Sequence, residues 1–339
     1  MSNIKISFCI PTYNRSELLS ELIESIVSQC KNRNDIEICI SDNASSDNTS
    51  EMIAKWKEST DTPIVYKVNK ENIGPDRNYL AAVDLASGEY CWLFGSDDIL
   101  SENALTELDH YLLNNADIYL CDRKEYDVDM LSFSYNPWMC TEDKIYNTEI
   151  KEEIINYFNS SVSIGTIFSY LSSIIVKREL WMRVCFDVSF IGSSYSHTYQ
   201  LLNIVRTGCT LQYINKPLVN TRLGNDFFSQ NGLVNRVEID LKGYVSFAEY
   251  FYSDDYDIKK AFLNILLRHH PVVHTNILVA LYGNNEQRMR IKEYYVKMEV
   301  SENKLSFIYL MRPIYILAEK CNLKPKYQKI RAFLKSFNN

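Results

Sequence analysis

Over residues 5–121, short apolar runs alternate with stretches of helical spacing, and this alternation constrains the chain more than any other feature of it. Residues 5–10, 36–40, 64–68, 90–94 and 117–121 read as strands. Between them lie a helix from Ser16 to about Cys30, with Leu18, Leu19, Leu22, Ile23, Ile26 and Val27 at helical spacing, and a second over 49–56. A third ends before Gly88, and a fourth reaches Leu113. Regular strand–helix alternation predicts an α/β, doubly wound, mostly parallel sheet of Rossmann-like arrangement.

One strand ends abruptly. In Tyr90-Cys91-Trp92-Leu93-Phe94-Gly95-Ser96-Asp97-Asp98-Ile99-Leu100 the apolar run stops at Gly-Ser and two adjacent carboxylates follow. Open α/β sheets bind ligands beyond the carboxyl ends of their strands, so the pair stands where a ligand would. Two neighbouring acids repel and call for a positive partner. A divalent cation held against phosphate oxygens is one answer, because hard cations prefer oxygen ligands. The other is an Asp-Asp cap on a helix over 99–113, whose N-terminus favours negative charge. These residues alone leave both open.

Composition narrows the class. The 339 residues hold 46% hydrophobic and 13% aromatic side chains, enough for a sizeable core in one large domain or two ordinary ones. A net charge of −7 argues against nucleic acid as the main partner. Residues 4–10 read as a strand rather than a signal segment, and no run approaches the roughly 20 apolar residues of a spanning helix. Nine cysteines, an odd number without a C-x-x-C pair, fit reduced thiols in a cytosol. Cys9, Cys39, Cys91 and Cys121 fall in strands as small core side chains.

After Asp122 the pattern loosens. Residues 126–147 read as a loop region with short strands, 152–158 as a helix, 172–176 as a strand and 179–184 as a helix. A Gly-Ser-aromatic loop over 186–196 precedes a helix over 198–206, and 211–214 with 218–221 read as paired strands. From about Val237 the chain reads as helical, which suggests a boundary near 230–236.

Four segments carry a resemblance: Cys9-Ile10-Pro11-Thr12-Tyr13-Asn14-Arg15, Ile40-Ser41-Asp42-Asn43-Ala44-Ser45-Ser46-Asp47, Asn72-Ile73-Gly74-Pro75-Asp76-Arg77-Asn78 and Gly95-Ser96-Asp97-Asp98. In this order they resemble the family-2 glycosyltransferases, over about residues 4–125 and more weakly to about 235. The resemblance implies the glycosyltransferase-A fold: a nucleotide-sugar-binding sheet with a mixed C-terminal half. Here that would be a catalytic domain over 1–235, with a helical region over 236–339 for membrane or acceptor docking. Within the family the wording is most similar to the bacterial abequosyltransferases of O-antigen assembly, which move a 3,6-dideoxyhexose from a CDP-sugar to a lipid-linked oligosaccharide. It therefore implies a hexosyltransferase using Mg²⁺ or Mn²⁺, a CDP-sugar donor and a lipid-linked acceptor. It also implies peripheral attachment to the cytoplasmic face of the bacterial inner membrane.

The residues can be given roles beside that resemblance. Pro11, Thr12, Tyr13 and Arg15 follow the first strand and would line a base pocket, where Tyr13 can stack. Asp42 closes the second strand; the resemblance puts a base contact there, while an Asx turn or N-cap suits the residues equally. Arg77, early in the third helix, meets phosphate or base, or is a surface charge. The resemblance assigns Asp97 to ribose and Asp98 to metal. The family often has a further acid where Ser96 stands, though Mg²⁺ often takes only one or two protein carboxylates besides phosphate and water. Arg222 stands where the family often has a basic residue near the diphosphate.

On the acceptor side, the family usually places an acidic pair, its Asp the base, at a helix start after a Phe-Asp-Glu-like segment. Phe186-Asp187-Val188 resembles that segment, and Ser196-His197 stand in the acids' place. His197 is then expected as general base, with an ordinary pKa of about 6.5, or else as a residue that caps or packs the helix start. His269, His270 and His274 around Pro271 read as a helix junction. From Asn303 to Asn339 eight basic residues, Lys324 to Lys335 among them, face Glu319 alone, a net +7 interleaved with apolar side chains. Such a segment suits an anionic membrane face or packing on an acidic domain. The rivals are a nucleotidyltransferase, which would need a Gly-rich loop where Pro11 to Arg15 has no glycine, and a non-catalytic sugar- or lipid-binding relative.

Overall fold

The computed structural model describes residues 4–224 and 232–320. The first strands are β1 (Ile6–Thr12), β2 (Ile36–Asp42), β3 (Ile64–Val68) and β4 (Tyr90–Leu93), alternating with α1 (Ser16–Val27), α2 (Thr49–Ser59) and α3 (Pro75–Asp84). There follow β5 (Ile99–Leu100), α4 (Ala104–Leu112), β6 (Ile118–Tyr126), β7 (Phe133–Tyr135), β8 (Lys144–Asn147), α5 (Lys151–Ser160), β9 (Ile174–Lys177), α6 (Arg178–Arg183), α7 (Ser196–Thr207) and β10 (Thr210–Arg222). The chain closes with α8 (Leu233–Tyr252), α9 (Tyr256–His269), α10 (Val272–Tyr282), α11 (Asn285–Lys297), α12 (Glu302–Leu310) and α13 (Arg312–Lys320).

One ten-stranded sheet runs β3-β2-β1-β4-β9-β6-β10-β5, with β7 on β6 and β8 on β10. β1 pairs in parallel with β2 and β4, and β2 with β3, while β9 lies antiparallel between β4 and β6. The sheet is thus mostly parallel with a mixed half. The order reverses between β1 and β4, so their carboxyl ends bound the crevice where such sheets take ligands. Every residue of β1, β2 and β4 is buried, which is why they read as unbroken apolar runs. Phe8 stacks on Trp92 at 5.2 Å, and the Trp92 indole N–H donates to the Ser172 carbonyl at 2.8 Å, tying β4 to the segment before β9. Cys9, Cys39, Cys91 and Cys121 are buried free thiols of the core.

Two local readings change. Residues 99–113 are not one helix: Ile99 and Leu100 pair antiparallel with Asn220 and Val219, and the helix begins at Ala104 behind Asn103. Asp97 and Asp98 therefore cap no helix. The expected strand pair over 211–214 and 218–221 is the single strand β10, which follows β6 through a register shift around Pro217. Proline has no N–H for the ladder, and the strand slips there instead of turning back.

Two compact units divide the chain, one of Met1–Phe227 with Ser246–Ile265, the other of Phe228–Val245 with Leu266–Asn339. The first unit reclaims residues beyond 235 through aromatic packing: Phe247 stacks on Phe190, Tyr250 and Phe251 contact Tyr199, and Phe262 packs on Phe158. In the second unit Asp240, His269 and His270 bring ligand atoms within 4.8 Å of one another. His270 Nε2 lies 3.0 Å from Asp240 and the Arg236 guanidinium 3.3 Å from it, so the carboxylate already has a cation, in keeping with a helix junction.

Candidate active site

The loops after β1 and β2 are stitched together by short polar side chains. The Asn14 N–H donates to Ser45 Oγ at 2.9 Å and the Ser46 N–H to Asn14 Oδ1 at 2.7 Å. Asn78, buried in α3, receives the Ser41 hydroxyl at 2.8 Å and donates to the Ser41 and Thr12 carbonyls. Pro11 and Thr12 end β1 inside the core, Thr12 Oγ1 has no partner among the described residues, and Tyr13 stands out to solvent. Asp42 is fully buried. Its Oδ1 accepts the Ser45 N–H at 2.8 Å and its Oδ2 the Tyr66 hydroxyl at 2.6 Å. Asp42 thus forms an Asx-type brace, each oxygen taking one donor from the chain itself.

The end of β4 is built differently. A methyl group on Gly95 would lie 3.0 Å from Asp98 Oδ2 and 3.3 Å from Asp97 Oδ1, so both carboxylates turn toward the space this glycine leaves. Asp97 pairs with Arg15 at 2.8 Å. Burial raises its pKa, against the pull of Arg15 and Arg222. Asp98 is buried and accepts the Ser172 hydroxyl at 2.5 Å and the Thr221 hydroxyl at 2.7 Å. Burial, then the Asp97 charge, pushes its pKa up to about 6, while Ser172, Thr221 and Tyr170 draw it down. The hydroxyl partners of Asp98 are neutral, and the charge acting on it is that of Asp97. Converging carboxylates with spare lone pairs and unrelieved charge fit a hard divalent cation.

Arg222, at the end of β10, is held by Glu21 and by the Val128 carbonyl at 2.9 Å; its Nε–H is buried without an acceptor among the described residues. Its charge acts on Asp97, which joins it to the carboxylate end of the site together with Arg15. Arg77 is exposed on α3. Its neighbour Asp76 is buried and receives the N–H groups of Gly192 (2.6 Å), Ser194 (3.1 Å) and Ser196 (3.1 Å), while the Ser196 hydroxyl donates to the Asp76 carbonyl. Asp76 thereby latches the Gly-Ser loop before α7 to the helix of the third motif. The Asp187 carboxylate accepts the Ser189 N–H and caps the short turn that follows.

His197 is enclosed by its surroundings. The ring is only 3% exposed, and its Nε2–H donates to the Phe168 carbonyl at 2.9 Å, a carbonyl that also accepts the Thr198 hydroxyl at 3.0 Å. Burial lowers its pKa to about 4, and Nδ1 is buried without a partner among the described residues. A base must reach the proton it takes, and this ring is enclosed. What it grips is the turn at Phe168, whose φ of +68° is unusual for a bulky residue and needs holding. That turn leads directly to Tyr170 and Ser172 beside Asp98. Ser172, Thr221, Tyr170, Asn78 and Asp76 carry much of this architecture. Nothing local in the sequence marks Ser172, Thr221 or Tyr170, whereas Asp76 and Asn78 lie within the third motif, Asn72 to Asn78.

Residues 7–177 match the model described as glycosyl transferase family 2. The chain is 47% identical over 308 residues to the abequosyltransferase RfbV of Salmonella typhimurium strain LT2, covering 89% of this chain and 92% of that protein. Among solved structures, residues 1–349 of Staphylococcus aureus TarS in complex with UDP-GlcNAc superpose with a TM-score of 0.63 at 14% identity, over 94% of this chain and 88% of that one. A Pyrobaculum calidifontis mannosyltransferase in complex with GDP-Man and Mn²⁺ gives 0.57 at 16% identity, over 95% and 87%. At such identities these two attest the fold.

Proposed function

This chain belongs to glycosyltransferase family 2, and from that premise we propose that it transfers abequose or a closely related 3,6-dideoxyhexose from a CDP-sugar to a hydroxyl of a lipid-linked O-antigen oligosaccharide. The observation that carries the reading is the 47% identity to an abequosyltransferase over nearly the whole of both chains. In such a transfer the acceptor oxygen bonds to the anomeric carbon as the bond from that carbon to the diphosphate oxygen breaks. CDP leaves with the electron pair, and the hydroxyl proton passes to solvent or a base.

The leaving diphosphate carries the charge that must be stabilised. Residues 1–235 would do this work, and 236–339 would serve docking at the cytoplasmic face of the membrane. Pro11, Thr12 and Tyr13 would flank the cytosine, and Asp97, steadied by Arg15, the ribose. Arg77 and Arg222 would face the phosphates, with the unmatched Nε–H of Arg222 a donor to one of their oxygens. Asp98, with Asp97 converging on it, would hold Mg²⁺ or Mn²⁺, which when bound supplies charge neutralisation at the diphosphate. Asp42 would shape the base pocket from behind. His197 would act as a positioning residue, keeping Tyr170 and Ser172 against Asp98.

The test is a transfer assay with CDP-abequose and a panel of UDP- and GDP-sugars, beside thermal shifts with CDP, UDP and GDP. A ligand that prefers the folded state raises its apparent stability by mass action. CDP should protect most and CDP-abequose should be the donor used. Stronger protection by UDP, with transfer from a UDP-sugar, would overturn the donor and leave the family in place.

A further inference from the structure

The last two described helices carry an apolar stripe turned to solvent. Phe307, Leu310, Ile314 and Leu317 are 61%, 75%, 55% and 62% exposed. Their steps of three, four and three put them on one helical face. The path is nearly continuous across the junction: the Met311 N–H donates to the Phe307 carbonyl, and the Ile314 and Tyr315 N–H groups to that of Met311. Leu305 and Ile308 turn inward and are buried, so the stripe is the opposite side of an amphipathic pair.

Charge indicates what would cover it. Lys304 stands three residues before Phe307 and Lys320 three after Leu317, both exposed, bracketing the stripe at its two ends. The acids of these helices are occupied: Glu302 pairs with Lys292 at 2.9 Å, and Glu319 accepts the Tyr282 hydroxyl. Residues 321–339, outside the described part, add Lys324, Lys326, Lys329, Arg331 and Lys335 and no acid. A chain of net charge −7 thus carries a cation at each end of one apolar face and five more in the sequence that follows it. No described helix is long and apolar enough to cross a membrane.

We propose that the Phe307–Leu317 stripe seats on an anionic phospholipid bilayer, its apolar side chains at the headgroup–acyl boundary and Lys304 and Lys320 reaching lipid phosphates. This deepens the docking role of the preceding reading by naming the surface, and it stands on observations independent of the donor site.

The experiment is cosedimentation of the full chain with vesicles of phosphatidylglycerol and phosphatidylethanolamine, against vesicles of phosphatidylcholine alone. Binding should be specific to the anionic vesicles and weaken with salt. The double variant Leu310→Ser/Leu317→Ser should lose roughly tenfold in vesicle affinity. Lys304→Gln/Lys320→Gln should lose a few-fold. Both should keep the CDP-induced thermal shift. A Phe307→Trp protein, which retains the apolar face, should be quenched by brominated anionic lipid, so the proposal stays testable if a serine variant misfolds. Absence of wild-type vesicle binding, wild-type affinity in the serine variant or an unquenched tryptophan would overturn it. So would a wild-type dimer that the serine pair splits without changing vesicle binding, since a second copy would then cover the stripe. Loss of any CDP response with vesicle binding intact would sink the donor reading and leave this one standing.

Discussion

Asp42 and Asp98 are the same residue type at the carboxyl ends of two strands of one sheet, yet their surroundings make them opposites. Asp42 is enclosed by the Tyr66 hydroxyl and the Ser45 N–H, a brace drawn from its own and the adjoining strand ends. Asp98 is surrounded by hydroxyls from distant segments, lies against a second acid, and has its pKa raised to about 6. Each carboxylate takes one neutral donor per oxygen; what differs is the second acid against Asp98, whose charge adds to burial and would favour an incoming cation. The neighbouring charge, and not position at a strand end, sets Asp98 apart.

The largest test of this contrast is Asp98→Asn. Transfer should fall by about 10³-fold or more, the scale of losing an electrostatic stabiliser of a leaving group, together with the metal-dependent part of nucleotide binding. Wild-type turnover in excess chelator would break the contrast. The same variant carries a stability signature. The folded carboxyl titrates near 6, above an unfolded value of about 3.9, so the folded state holds the extra proton between them and stability declines as pH rises through that window. In metal-free protein Asp98→Asn should melt a few degrees above wild type at about pH 7.5, and the gap should close as pH falls toward about 4.

His197 sharpens the contrast from the other side, as a buried group that supports Asp98 at one remove. His197→Ala should lower turnover by about 10–100-fold through displaced geometry, with CDP affinity little changed. The wild-type rate should show no limb belonging to this ring near its ordinary pKa, since burial has lowered that pKa to about 4. A rate limb near pH 6.5 that vanishes in a His197→Gln protein would restore it as the base. In stability the sign is opposite to that of Asp98: the contribution is full above about 6.5 and is lost as pH falls from there toward 4.

Asp76→Ala should act more narrowly. Three backbone N–H groups lose their acceptor, so the loop before α7 should loosen, with the acceptor KM rising about tenfold while the CDP-induced thermal shift stays within error. Equal losses on both sides would make Asp76 part of the donor site instead. Smallest is Tyr66→Phe, which removes one of the two braces on Asp42. It should cost about 1 kcal/mol of stability by denaturant titration and leave transfer within a few-fold. A large loss of nucleotide affinity would mean that Asp42 touches the ligand after all.

Much of the first unit was legible because its signals are local. Alternating apolar runs and helical spacing announced the sheet, and four motifs announced the family. Pro75 at the start of α3 and the Gly-Ser after Phe94 placed the turns. Local pattern sufficed for the parallel α/β core, the carboxylate pair and the family. What each charged or polar group touches depends on segments far apart in the chain. Ser172 and Thr221 lie 74 and 123 residues from Asp98, and Asp76 meets its loop 116 to 120 residues away. The tertiary structure also encloses the His197 ring and draws Asp42 into a brace. Secondary structure follows from neighbours within a few residues, whereas burial, partners and hence protonation depend on which distant segments the topology brings together.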